Sequence, residues 1–287
     1  MHLFFRLCPL LLLAFLAQSC AHRLGAGLFG NDVTYLHRPA YRAGAAGASA
    51  TYLSGNLNVG RGFSSQGGDF NGSANVALHQ AHTWKHGSIA YGGFAYAGKY
   101  WLGDQAFARF DSLQRREVNP FAGRYGYYGW GLRTAANFSV PLHSGFDWRI
   151  AGLDLALSRE YGALTTVRRQ LADFIAIEPN NGRLFSEIVV RDPLLFTFGL
   201  SSELCWKNQD DQFSFRYFWG RPAGGYSQFD RGLFIGGANV SNCTLAYQNE
   251  REGWAGFVQL AQPFTKTTMQ IGVTRQLGQV RRRLVPL

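Results

Sequence analysis

From Ala50 onward the apolar residues recur with a period of two, and nowhere beyond Ala17 does an apolar run approach the ~18 residues of a spanning helix. A period of two places successive side chains on opposite faces of a strand. Thr51, Leu53, Leu57 and Val59 alternate with Tyr52, Ser54, Asn56 and Asn58. Ala74, Val76 and Leu78 alternate with Asn75, Ala77 and His79. Tyr128, Trp130, Leu132, Thr134, Ala136, Phe138 and Val140 alternate with Gly129, Gly131, Arg133, Ala135, Asn137 and Ser139. Phe146, Trp148 and Ile150 start a further segment whose apolar set then slips to Ala151, Leu153, Leu155 and Leu157, so a β-bulge is placed near Ile150. Phe196 to Trp206, Phe213 to Trp219, Leu233 to Tyr247, Trp254 to Ala261 and Met269 to Val273 continue the pattern. The chain reads as about ten strands, most of them ~9–11 residues, the length with which a tilted strand crosses a bilayer.

The connections between these segments are sorted by length. Arg61–Gly72, Leu102–Ala122, Gly162–Pro193 and Gly220–Arg231 are long; Lys85–Gly87, Pro141–Gly145, Asn208–Asp211 and Asn249–Gly253 are short. Long and short alternate until the last hairpin, Pro263–Lys266, which breaks the rule. In an up-and-down barrel every second connection lies on one rim, and membrane barrels carry short turns on the periplasmic rim and longer loops outside. A soluble sandwich has no reason to sort its loops this way. The expected fold is therefore all-β, an antiparallel up-and-down β-barrel spanning a membrane, with both chain ends at the short-turn rim. Thr165 to Phe174, inside the longest connection, reads as a short helix.

Composition agrees. Charged residues make up 16% of the chain, well below the ~25% of ordinary soluble domains, while aromatics reach 15% and glycines number 35. Trp84, Trp101, Trp206 and Trp219 fall at strand ends and Trp148 and Trp254 at strand starts, as in the aromatic girdles of a membrane barrel.

The first residues set the compartment. Met-His-Leu-Phe-Phe-Arg is followed by an apolar run from Leu7 to Ala17 and then Gln18-Ser19-Cys20. That run is about eleven residues, too short to span a membrane at ~20, and reads as the apolar region of a secretory signal. The segment resembles a bacterial lipoprotein signal, in which the cysteine becomes the lipid-modified first residue. Ala17 stands where that pattern usually has Leu, and ordinary cleavage after Ala17-Gln18-Ser19 is the alternative. The organisation expected is a signal peptide over 1–19, a tether over 20–49 with Tyr35 and Tyr41 packed on the body, a barrel over 50–277 and a basic tail over 278–287. If Cys8 leaves with the signal and Cys20 carries lipid, Cys205 and Cys243 remain, and an oxidising compartment permits a disulfide between them.

On the periodicity, sorted loops and tryptophan placement, Ala50 to Leu277 resembles outer-membrane β-barrel proteins of Gram-negative bacteria. Together with the signal it looks like the barrel lipoproteins of the Bacteroidota. That resemblance implies residence in the outer membrane of an exported, lipid-anchored chain. Such barrels usually end on an aromatic residue, whereas this sequence runs on past Leu277 to Val285-Pro286-Leu287.

Chemistry-bearing residues are sparse. Arg133, Asp154, Glu203 and Arg216 sit on the polar phase and would point into the lumen, where buried charges must be paired or hydrated. They are read as a polar network plugging the barrel, the alternative being a channel lining. Barrels of ~8–10 strands have little open bore, whereas porins use ~16–18. His79 and His82 face opposite sides of their strand and His86 lies beyond a turn, so no metal site is expected. His79, Ser88, Asp154 and Glu203 could serve a lipid-modifying enzyme, yet no Gly-x-Ser-x-Gly elbow accompanies them. The clusters Gly92-Gly93, Gly224-Gly225 and Gly236-Gly237 lack the Lys-Ser/Thr of a phosphate loop, so no cofactor is expected. The net charge of +10 points, in an exported chain, to anionic lipid headgroups or lipopolysaccharide rather than nucleic acid. The expected role is structural or interactive, with Leu102–Ala122 and Gly162–Pro193 meeting envelope proteins or external ligands. A small polar-solute pore, a lipid-modifying enzyme and a soluble, lipid-tethered periplasmic barrel are the alternatives.

Overall fold

The computed structural model describes residues 23–24, 27–28, 31–42, 45–62, 69–103, 121–143, 145–177, 188–189, 192–223, 239–263 and 266–284. Ten of its strands form the barrel wall. They are β1 (Ala45–Gly62), β2 (Asp69–Trp84), β3 (Gly87–Leu102), β4 (Gly123–His143) and β5 (Phe146–Tyr161), followed by β6 (Leu194–Asn208), β7 (Asp211–Ala223), β8 (Val240–Asn249), β9 (Trp254–Pro263) and β10 (Lys266–Leu284). Each pairs antiparallel with its neighbours in sequence, and β10 pairs back onto β1, so the barrel wall has no open edge. Closure matters because an unpaired strand edge cannot be satisfied in lipid.

The connections sort as the sequence implied. β1, β3, β5, β7 and β9 end at the rim from which the long connections depart, and β2, β4, β6 and β8 end at the other, where the connections are short. The longest connection opens at Gly162, whose φ of +112° suits only glycine, and continues as helix α1 (Ala163–Ile177). That helix is longer than the Thr165–Phe174 stretch anticipated. Leu164 and Leu171 pack with Leu28, Tyr100 and Tyr127, so α1 sits over the mouth of the barrel at the long-loop rim.

The two faces of the wall are inverted relative to a soluble protein. Along β1, Tyr52, Ser54, Asn56 and Asn58 are buried, while Leu53, Leu57 and Val59 are exposed. The same holds round the ring: Leu132, Leu153, Leu200, Leu245 and Ile271 are all exposed, Leu245 at 63%. Phe138 and Phe198 join this belt, and Phe215 is half-buried on the same face. Trp84, Trp148, Trp206, Phe213 and Trp254 border it towards the short-turn rim, and Phe70, Tyr128, Trp130 and Trp219 towards the long-loop rim. An exposed apolar band between two aromatic girdles, around a polar interior, is the architecture of a transmembrane β-barrel.

The bulge expected near Ile150 is present. The register of β5 passes from Arg149↔Glu203 to Gly152↔Ser201, and Ile150 and Ala151 are both exposed. One boundary differs from the sequence reading. β10 does not stop at Leu277: after a register shift, Arg281, Arg282 and Arg283 lie opposite Ser49, Ala48 and Gly47. The wall thus spans Ala45–Leu284, and most of the stretch taken as a basic tail is strand. The cause is the start of β1, whose backbone donors and acceptors before Ala50 need partners.

The belt yields a direct test. Leu200→Arg should lower unfolding stability in phospholipid vesicles by about 2–4 kcal/mol, the cost of arginine near the bilayer midplane. Urea titration followed by tryptophan fluorescence measures it. An effect close to zero, as expected at a water-exposed position, would contradict a lipid-facing Leu200.

Candidate functional site

The lumen holds a stretch of the chain itself. Gly27–Leu28 and Asn31–Ala40 are buried, although they belong to no wall strand. Near the long-loop rim, Gly27 N donates to Glu160 Oε2 at 2.6 Å, and Gly27 O accepts from Asn71 Nδ2 at 2.5 Å and Tyr127 OH at 3.3 Å. Further down, Thr268 Oγ1 donates to Asn31 Oδ1 at 2.9 Å, Gln259 Nε2 to Val33 O at 3.3 Å, and Gln270 Nε2 to Thr34 Oγ1 at 3.1 Å. Tyr35 OH donates to Glu203 Oε1 at 2.5 Å, and His79 Nε2 lies 3.1 Å from His37 O. At the short-turn rim Ala40 N donates to Glu250, and Arg42 pairs with Asp210 at 2.6 Å. These partners come from β2, β4, β5, β6, β9 and β10 and from two short turns, so the segment is ringed by the wall. Fully extended, Gly27 to Arg42 reaches ~50 Å, ample for a ~30 Å hydrocarbon core.

Within the 20–49 stretch read as a tether, Gly27–Leu28 and Asn31–Ala40 thus lie inside the barrel. Tyr35 is indeed packed on the barrel, but from within. The expectation that both chain ends lie at the short-turn rim concerns residues 1–22 and 285–287, which lie outside the described residues. β1 starts at that rim, but the chain before it runs back through the lumen to the long-loop rim. The physical reason is the width of a ten-strand ring, since ~8 strands already leave an interior that side chains alone just fill.

Three buried glutamates hold the segment at three depths. Glu160 accepts from Gly27 N and also binds Arg168 at 2.5 Å and Thr165 at 3.1 Å, linking the segment to α1. Glu203 binds Tyr35, Arg38 at 3.4 Å and Arg149 at 2.8 Å. Glu250 takes Ala40 N, Arg42 at 3.5 Å and Arg282 at 2.5 Å. Each carboxylate therefore ties segment, wall and a cation together, which is how a buried charge is made tolerable.

The four lumen residues singled out from the sequence are all buried, but they do not form one cluster. Asp154 and Arg216 meet at 2.6 Å, with Ser201 Oγ donating to Asp154 at 2.6 Å. Glu203 pairs instead with Arg149 and Arg38. Arg133 stands apart over the Phe94 ring at 5.4 Å, its guanidinium nitrogens without a hydrogen-bond partner among the described residues. Arg149, Arg38, Glu160 and Glu250 were missed. Glu160 was findable, because it continues the Asp154, Ala156, Ser158 phase. Arg149 was findable by counting back from the bulge. Arg38 carries no periodic signal.

The other candidates are placed as follows. Cys20 lies outside the described residues. Cys205 is buried in the lumen, opposite Ser214, whereas Cys243 is on the outward face opposite Tyr217. Two side chains on opposite faces of the wall cannot bond, so the pairing of Cys205 with Cys243 is ruled out by geometry. His79 points inward, and His82 points outward with its ring 5.9 Å from Tyr91. Ser88 is buried without a hydrogen bond to His79, and Asp154 and Glu203 are each bound to arginines. These four residues therefore form no triad.

A closed barrel with an apolar exterior, a polar interior and a segment of its own chain in the lumen is the class of protein these observations define. No family model matches the chain, and no curated protein matches it. Among solved structures it is similar to the β domain of the Bordetella autotransporter BrkA, at 8% identity over 79% of this chain and 98% of that one, with a TM-score of 0.43. It is also similar to the translocator domain of the autotransporter NalP from Neisseria meningitidis, at 9% identity over 80% of this chain and 88% of that one, with a TM-score of 0.40. An outer membrane channel from Pseudomonas putida F1 gives 9% identity over 85% of this chain and all of that one, at 0.40.

Removing the central carboxylate tests the lumen network. Glu203→Ala leaves Arg38 and Arg149 buried without their anion and should cost about 3–5 kcal/mol. The double variant Glu203→Ala with Arg38→Met should recover part of that loss. Urea unfolding in detergent measures both, and a neutral Glu203→Ala would mean the charges are solvated.

Proposed function

We propose that this chain is an outer-membrane β-barrel, lipid-anchored through Cys20, that serves a structural or interaction role and does not conduct. The observation that carries this reading is the buried Asn31–Ala40 segment, hydrogen-bonded to the wall around the ring. In this reading the chain in the lumen blocks the path a solute would take. The packing of α1 over the long-loop mouth supports the same conclusion.

Lipidation would attach a diacylglyceryl group to Cys20 Sγ as a thioether, the donor phospholipid releasing its headgroup and the thiol its proton. The lipid would add to an anchor that the belt already supplies. With the lumen filled, the working surfaces are the connections 103–122 and 162–193. They are suited to envelope proteins, to external ligands, or, given the +10 net charge, to lipopolysaccharide.

Planar-bilayer recording distinguishes this reading from a pore. The intact protein should give no single-channel steps, and a variant lacking residues 27–42 that still inserts should give them. Steady conductance by the intact protein would sink the plugged reading. Separately, Cys20→Ala should abolish incorporation of a palmitate analogue, and unchanged labelling would remove the lipid from the proposal.

A further inference from the structure

We infer that the amino-terminal end of the mature chain leaves the barrel at the long-loop rim, so that a lipid on Cys20 sits in the outer leaflet and not in the periplasmic one. This rests on the lipidated-barrel reading above but asks a different question: on which side of the membrane the anchor lies.

Two observations fix the direction. The buried segment has its Gly27 end against Glu160, Asn71 and Tyr127, near the ends of β5, β2 and β4 that adjoin the long connections, and its Arg42 end against the turns at 209–210 and 250–253. Independently, Arg23–Leu24 pairs in parallel with Ile188–Val189, which lies within the 162–193 connection of the long-loop rim. Both place the chain ahead of Gly27 on that side. Cys20 precedes Arg23 by three residues. Three residues reach at most about 11 Å, far less than the ~30 Å of hydrocarbon that a lipid in the opposite leaflet would require. The long-loop rim of a membrane barrel faces the exterior. The chain thus crosses the membrane once through its own lumen before it begins its wall, and its amino terminus is displayed beside the long loops.

The geometry also explains why the segment is held at both ends. Its upper end meets Glu160 and its lower end Glu250, so the position of the anchor relative to the rim is fixed. A slack tether would let the amino terminus slip back inside.

The test is accessibility in intact cells. In a Cys205→Ser, Cys243→Ser background, three reporters are compared with a membrane-impermeant maleimide: Arg23→Cys, a cysteine introduced within residues 104–120, and Asp210→Cys. Heat-dependent gel mobility checks that each variant has folded. The first two should label as fully in intact cells as after permeabilisation, and the third only after permeabilisation. Arg23→Cys protected while the 104–120 site is labelled would overturn the inference. So would a reversed pattern in which Asp210→Cys alone is labelled. A protease site inserted between Cys20 and Arg23 gives a second readout that needs no cysteine, with cleavage in intact cells expected. Palmitate-analogue labelling on the same samples separates the two ideas. An exposed Arg23→Cys without label overturns the lipid and leaves the displayed terminus, whereas a labelled but protected one overturns the topology and leaves the lipid.

Discussion

A closed ring of ten strands is slightly too wide to be filled by its own inward side chains, and this constraint governs the rest of the structure. With fewer strands the inward residues would meet across the axis, and with many more the interior would hold bulk water. At this width a void would leave Asn, Gln, Ser and Thr side chains without partners, and an unpaired buried polar group costs ~1–3 kcal/mol. The chain resolves the mismatch with the residues immediately ahead of β1. Their backbone, which has no helix or ladder to satisfy it, finds its partners in the wall: Val33 O takes Gln259, His37 O takes His79, and Gly27 N and O are both used. Wall and segment each supply what the other lacks.

That dependence has a consequence for assembly. The barrel closes where β10 meets β1, the first and last wall strands, and the lumenal segment runs directly into β1. The segment is continuous with a seam strand, so filling the lumen and closing the seam involve the same stretch of chain. The extension of the seam past Leu277, with Arg281 to Arg283 opposite Gly47 to Ser49, lies at the rim where the segment leaves the lumen. There Arg282 reaches Glu250, the same carboxylate that takes Ala40 N and Arg42. Seam and segment are therefore locked by one residue.

Much of the wall was legible because a strand buried on one side writes a period of two into the sequence, and lipid outside makes the alternation sharp. Leu53, Leu57 and Val59 against Ser54, Asn56 and Asn58 leave little room for another reading. Even the bulge was visible, as the slip from Ile150 to Ala151. The lumenal segment was not legible for the complementary reason. A single irregular pass hydrogen-bonded on all sides has no preferred face, so Asn31 to Arg42 shows no periodicity and looks like a linker. Its apolar members, Val33, Tyr35 and Leu36, were the available hint. The polar network was half legible: Asp154 with Arg216 follows from strand phase, but Glu203's partners on the segment, Tyr35 and Arg38, carry no strand phase that would place them in the lumen. The disulfide that an oxidising compartment would permit does not form, because Cys205 and Cys243 occupy opposite faces of the wall and composition carries no information on faces.

The distribution of charge argues that the segment is a fixed part of the barrel and not a gate. A gate needs two states separated by a few kcal/mol, so that a ligand or a potential can shift the balance. Here withdrawal would strip Glu203 of Tyr35 and Arg38, Glu160 of Gly27, and Glu250 of Ala40 and Arg42 together. Each loss would leave a buried carboxylate short of partners, and leaving one such charge uncompensated costs about 3–5 kcal/mol. Three at once exceeds what a single ligand contact repays. The anchors also differ in kind: Glu160 and Glu250 hold the two ends, whereas Glu203 grips the middle. Sliding the segment by one residue would therefore break all three registers, and the arrangement favours one depth of insertion over every neighbouring one.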